Sequence, residues 1–149
     1  MGIIPYSRER RSLQWAVGIG GIVPVAAGLF GVLFGFALTG DRDISVSADS
    51  HFRYLSGLLL GLGLCFWATI PRIEERATWF RVLALIVVIG GLGRLLGLAL
   101  TGIPSLAMVG GLAMELVVTP LLTLWQARIA HRAEDEERPS AESLIAEPD

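Results

Sequence analysis

Arg94 and Glu115 put chemistry where the sequence around them has none. Each stands alone in a long apolar run, Arg94 in 79–100 and Glu115 in 105–124. A charge near the middle of a membrane helix costs roughly 2.5–3.5 kcal/mol on insertion scales. Two such charges imply partners inside the protein. A guanidinium can grip a carboxylate or another oxyanion. A buried carboxylate can also take up and release a proton, because burial disfavours its charged form. Helical spacing gives Arg94 a face with Gly90, Gly91, Gly97 and Thr101, and gives Glu115 one with Gly111, Val118 and Thr119. A third charge, Arg53, shares a face with Ser56, Gly57 and Gly61. Small residues in membrane helices mark close helix contacts, so all three charges are expected to point inward. The small-xxx-small pairs Gly31/Gly35, Gly57/Gly61 and Gly93/Gly97 carry the same meaning.

The elements that must hold these residues follow from hydropathy. The 149 residues are 53% hydrophobic with a mean hydropathy of +0.62, and the apolar residues are gathered into long runs. A run of about 18 or more reads as a transmembrane helix. Four runs fit, about 13–38, 52–70, 79–100 and 105–124. The expected fold is all-α: a polytopic protein with four transmembrane helices in an antiparallel bundle. Residues 1–12 form a short N-terminal segment, 13–127 the membrane domain, and 128–149 a tail whose acidic stretch from 133 reads as disordered. Although Arg8, Arg10 and Arg11 precede the first run, as in a signal peptide, that run is too long for a signal core. The single cysteine, Cys65, lies in an apolar run and is expected to pack there.

Orientation follows from arginine, since the chain has no lysine. Arg8, Arg10 and Arg11, then Arg72, Arg76 and Arg81, then Arg128 and Arg132 fall on one side of four crossings. The other side has Arg42 beside Asp41 and Asp43. The positive-inside rule puts both termini in the cytoplasm. Trp15, Trp67, Trp79 and Trp125 fall near that same side, where Trp favours the headgroup zone.

On this topology Arg94 lies roughly 9 Å and Glu115 roughly 15 Å from the outer ends of their helices. An Arg94–Glu115 ion pair in the outer half of the bundle is expected, with Arg53, Tyr54 and His51 at its entrance. Two positives against one negative would suit an anionic lipid headgroup or a small amphipathic anion, unless Asp49 or Asp43 folds in to neutralise the surplus. The segments 28–40 and 90–102 agree at eight of thirteen positions, including Ala-Leu-Thr-Gly at the end of both. That agreement suggests two repeated helix hairpins, in which Arg94 corresponds to Val32.

Other classes drop out. The absence of lysine removes a Walker-A loop and a Schiff base, and the absence of asparagine removes N-glycosylation. Two distant histidines and one cysteine make no metal cluster. The near-balanced net charge of −2 does not point to nucleic acid. No catalytic group, metal or cofactor is implied.

The His-Phe-Arg-Tyr-Leu-Ser-Gly at 51–57, the Gly-Gly-Leu-Gly-Arg-Leu at 90–95, and Glu115 followed by Thr-Pro-Leu-Leu-Thr-Leu-Trp-Gln at 119–126 together resemble a bacterial membrane family, domain of unknown function 4345, over about residues 12–130. The resemblance implies a small four-helix membrane protein with polar positions at Arg53, Arg94 and Glu115, and no transferable activity. The layout is also similar, at the level of fold, to the DoxX-like proteins. Two functions stay open. One is a non-enzymatic binding or accessory protein of the bacterial inner membrane, which uses Arg94, Glu115, Arg53 and Tyr54 to hold an anionic lipid, a small anion or a partner subunit. The other is a small proton-coupled, homo-oligomeric transporter with Glu115 as its protonatable group.

Overall fold

The computed structural model describes residues 6–38 and 44–145, with side chains at 6–37 and 44–135. The described residues are helical, without strands: α1 (Tyr6–Phe34), α2 (Val46–Thr69), α3 (Ala77–Thr101), α4 (Leu106–Ala113) and α5 (Thr119–Ile145). A wider π turn, Met114–Val118, joins α4 to α5. Short 3-10 turns follow α1 and α2, at Gly35–Leu38 and Ile70–Arg72. Four helical stretches, Tyr6–Ala37, Val46–Arg72, Ala77–Thr101 and Leu106–Asp135, are long and apolar enough to cross a membrane. Large apolar side chains stand exposed along all of them, among them Trp15, Ile19, Leu85, Ile89, Leu121 and Leu124. Water would penalise so much uncovered apolar surface; lipid would not.

The helices outrun the expected spans for local reasons. Ser45 caps α2, its hydroxyl accepting the Ala48 N–H at 3.2 Å, so the helix starts six residues before the apolar run. An N-cap of this kind satisfies one of the orphan donors of a first turn. The first turns of α1 take in Arg8, Glu9, Arg10 and Arg11, and arginine and glutamate are good helix formers. At the other end, α5 continues to Ile145 through residues read above as an unstructured acidic tail. Residues 133–138 (Ala-Glu-Asp-Glu-Glu-Arg) are mostly helix formers, and prolonging an existing helix avoids the cost of nucleation. The Thr-Gly-Ile-Pro turn is as expected: Gly102 closes α3 with φ +99° and donates its N–H to Leu98 O at 3.1 Å. Asp41, Arg42, Asp43 and the Thr39–Gly40 end of the first repeat segment lie outside the described residues.

Contacts divide the chain into two units. One is Trp15–Pro71, an α1–α2 hairpin. Gly28 and Gly31 of α1 sit against the backbone of Leu60 and the side chain of Ser56, too close for a Cβ. Gly63 of α2 returns the contact against Val25. The Trp67 indole N–H donates to Gly18 O at 3.0 Å. Phe36 packs on Phe52 with ring centroids 4.5 Å apart. Cys65 is exposed, so the packing expected of it is not found; the inward face of α2 carries Ser56 and Gly63 instead.

The end of α1 is held by a polar clamp. Arg53 donates to Val32 O at 2.7 Å and Leu33 O at 3.1 Å, the carbonyls a helix C-terminus leaves unpaired. Its Nε binds Asp49 Oδ2 at 2.7 Å, and Asp49 Oδ1 accepts the Phe36 N–H at 2.9 Å. Gly35 turns beneath this clamp with φ +56°. A Cβ there would meet Asp49 Oδ1 and come within 2.7 Å of Arg53 Cζ. Gly35→Ala is therefore expected to destabilise the hairpin by ~1–2 kcal/mol from the left-handed backbone alone, with the clash added. The Gly57→Ala control, whose new atom would sit an ordinary 3.8 Å from Val32, should keep or raise stability, since alanine is the better helix former. Unfolding midpoints in detergent check both.

The second unit takes the chain up to Gln14 and from Arg72 onward. Its core is Leu13, Ile73, Phe80, Leu83, Ala84, Ile129 and Ala130, with Gln126 fully buried among them. α3 packs against the π turn and α5.

Candidate functional site

Arg94 and Glu115 meet. Arg94 Nε lies 3.0 Å from Glu115 Oε1, with the arginine side chain 40% and the glutamate 16% exposed. Gly91, one turn before Arg94, makes the approach possible. A Cβ on it would lie 2.7 Å from Leu116 Cδ2 and 2.9 Å from Glu115 Cβ. Of the other glycines expected on these faces, Gly90, Gly97 and Gly111 have nothing within 4 Å. Toward the π turn, the contact face of α3 therefore runs through Gly91 and Arg94.

Glu115 sits in the π turn, which the apolar pattern could not reveal. Pro120 supplies a cause. It has no N–H, and its ring crowds the carbonyl four residues back, at Leu116. Widening the preceding turn makes room. Thr119 then donates its backbone N–H to Met114 O, five residues back, and adds its hydroxyl to the same carbonyl at 2.9 Å. Single π turns within α-helices recur at functional sites, and this one carries the lone acid of the 105–124 apolar run.

The pair is polarised. On the arginine, Nη1 rests 3.0 Å from Met108 Sδ, and a thioether is only a weak acceptor. On the glutamate, Oε2 is buried and has no hydrogen-bond partner. The guanidinium thus keeps an exposed edge with donors to spare, while the second carboxylate oxygen is enclosed.

Arg53 and Tyr54 belong to the other unit and have their own surroundings. Arg53 is taken up by Asp49 and the end of α1, which is the neutralisation the charge arithmetic allowed for. Tyr54 is 62% exposed and stacks on His51 with centroids 6.3 Å apart. The ion pairs close two by two, Arg94 with Glu115 and Arg53 with Asp49. Neither pair leaves a net positive charge.

Sequence reasoning missed a polar cluster at the opposite end of the Arg94–Glu115 unit. Glu9 holds Arg132 through Oε2 and accepts the Trp125 indole N–H through Oε1 at 3.3 Å. Arg10 binds Glu74 at 2.8 Å. Gln126 donates to Ile73 O at 2.8 Å, and its Oε1 is buried without a partner. The positive-inside argument uses these arginines as markers of sidedness and assigns them no partners. The available signal was an acid in each of two arginine-rich segments, Glu9 and Glu74.

The repeat fares unevenly at the glycines. Gly28 and Gly31 touch α2, whereas their counterparts Gly90 and Gly93 face open space. Gly35 leaves the helix while Gly97 stays in it. The contact face of α3 is offset by one residue from that of α1, about 100° around a helix.

Residues 12–126 match a family model described as a domain of unknown function, DUF4345. No curated protein and no solved structure matches the chain.

Proposed function

The chain belongs to the DUF4345 family, and on that premise we propose that it is a non-enzymatic membrane protein that binds an anionic amphiphile at Arg94. The observation that carries this is the guanidinium's exposed edge, beside a thioether in an otherwise apolar span. An anionic headgroup oxygen is a far better acceptor than sulfur. Glu115 fixes the other edge of Arg94 and so aims it. Arg53 and Tyr54 leave the binding set: Arg53 because Asp49 and the end of α1 hold its Nε and Nη1, Tyr54 because it lies against His51. Tyr54 is available to a partner subunit or to a second copy in a homo-oligomer.

The three arginine-bearing segments support the proposed orientation. The N-terminal turns of α1, the α2–α3 connection and the region around Arg132 converge through Glu9–Arg132, Arg10–Glu74 and Gln126–Ile73. With the positive-inside rule, that end is read as cytoplasmic, and a bacterial inner membrane is the membrane we propose. Arg94 and Glu115 then lie in the outer half.

The proton-coupled reading rests on one observation, the enclosed Oε2 of Glu115. A proton fits where a molecule does not. Protonating Glu115 would end its charge attraction to Arg94 and free the guanidinium, so proton uptake and anion binding would be coupled at one pair.

Native mass spectrometry in mild detergent tests the binding. The wild-type protein is expected to retain an anionic lipid or amphiphile, Arg94→Gln to lose it, and Tyr54→Phe to keep it. A wild-type protein that flies bare would end the reading.

A further inference from the structure

Four polar side chains follow one another along the fourth span: Glu115, Thr119, Thr123 and Gln126. Their spacing of four, four and three keeps them on one helical face. Glu115, Thr119 and Thr123 are half-buried, and Gln126 is fully buried. The stripe begins and ends on an orphan. Glu115 Oε2 and Gln126 Oε1 are both buried acceptors without a donor. Leaving one such group unsatisfied costs ~1–3 kcal/mol, so two on one face call for a common explanation.

The threonines show what kind of donor would serve. Thr119 gives its hydroxyl proton to Met114 O at 2.9 Å, and Thr123 gives its own to Thr119 O at 2.8 Å. With their protons committed to the backbone, both hydroxyl oxygens can only accept. The two hydroxyl oxygens, Glu115 Oε2 and Gln126 Oε1 therefore form a row of acceptors. Water supplies two donors per molecule. The axial steps are about 6, 6 and 4.5 Å, and one water making two hydrogen bonds of about 2.8 Å bridges such a gap.

We propose that this face of the fourth span binds a file of internal waters that joins Glu115 to the end of the unit where Gln126 lies. Glu9 and Glu74 stand at that end, with side chains 11% and 17% exposed. The file covers about 16 Å of the span and stops at Glu115, because Arg94 does not give up its proton. It would load Glu115 from the Glu9 and Glu74 side while Arg94 faces the ligand from the other. The transport role of the file rests on the proton-coupled reading above, but its hydration does not.

Water-edited solid-state NMR of the full chain in lipid bilayers tests the waters directly. Water cross-signals are expected at the Thr119 and Thr123 side chains and at Gln126. Their absence overturns the proposal whatever Glu115 does. Infrared spectroscopy of the same samples follows the Glu115 acid band, assigned by its loss in Glu115→Gln. On transfer to heavy water, its exchange should slow about tenfold in Thr119→Val/Thr123→Val, the size expected for losing a hydrogen-bonded step. It should recover in Thr119→Ser/Thr123→Ser. Equal exchange rates in the valine and wild-type proteins would also overturn the file. Water signals together with a Glu115 that never protonates would support the file and remove the proton-coupled reading.

Discussion

Arg94→Leu destabilises the protein by ~3 kcal/mol or more, and the double variant Arg94→Leu/Glu115→Leu recovers most of that loss. The magnitude is that of breaking a low-dielectric ion pair by removing one partner. The asymmetry comes from what remains. After Arg94→Leu, Glu115 Oε2 still has no donor, and Oε1 loses its own. The double variant leaves two apolar side chains across a contact that Gly91 keeps tight. Met108 gains as well, since its sulfur no longer faces a guanidinium. Glu115→Leu alone should cost less than Arg94→Leu, because Arg94 is the more exposed partner and can swing toward the interface. Reversible unfolding in mixed micelles measures all four corners of the cycle. A double variant as unstable as the sum of the singles would mean that the two charges are not coupled.

The pairing itself was legible because membrane charge is expensive. One arginine and one glutamate, each alone in an apolar run and at compatible depth, leave few other arrangements. The same logic found Asp49 as a candidate to neutralise Arg53, although it could not reveal that the guanidinium also caps α1. What stayed hidden was set by backbone detail. The π turn depends on where Pro120 crowds its helix, and no hydropathy pattern encodes a one-residue widening. Met108 became a neighbour of Arg94 only through the short α3–α4 connection. Ser45 was overlooked because a hydropathy window sees a polar stretch before 52, where the chain already has a capped helix. The Glu9–Arg132 and Arg10–Glu74 pairs were obscured because charges beyond the apolar runs were used to orient the helices. Those charges also pin the N-terminal turns of α1 to the rest of their unit.

Glycine shows most sharply where spacing runs out, and it yields a prediction with opposite signs at neighbouring positions. Spacing nominated Gly90, Gly91 and Gly97 alike, yet only Gly91 abuts the partner segment. Gly91→Ala places a methyl 2.7 Å from Leu116 Cδ2 and 2.9 Å from Glu115 Cβ. Leucine's end can turn aside, but the Glu115 Cβ is fixed to the backbone of the π turn. The segments must therefore separate, at ~1–3 kcal/mol for an overpacked contact. The separation also lengthens the Arg94–Glu115 bond, so retained amphiphile should fall together with stability. Gly90→Ala, Gly93→Ala and Gly97→Ala meet nothing within 4 Å. Each replaces glycine within a helix by the best helix former, a gain of up to ~1 kcal/mol, and should raise the unfolding midpoint. The four single variants compared in one detergent make the decisive series. If Gly91→Ala rose with the others, α3 would not approach the π turn as closely as these contacts require. The small residue would then owe its place to composition, and Arg94 would need another reason to face Glu115.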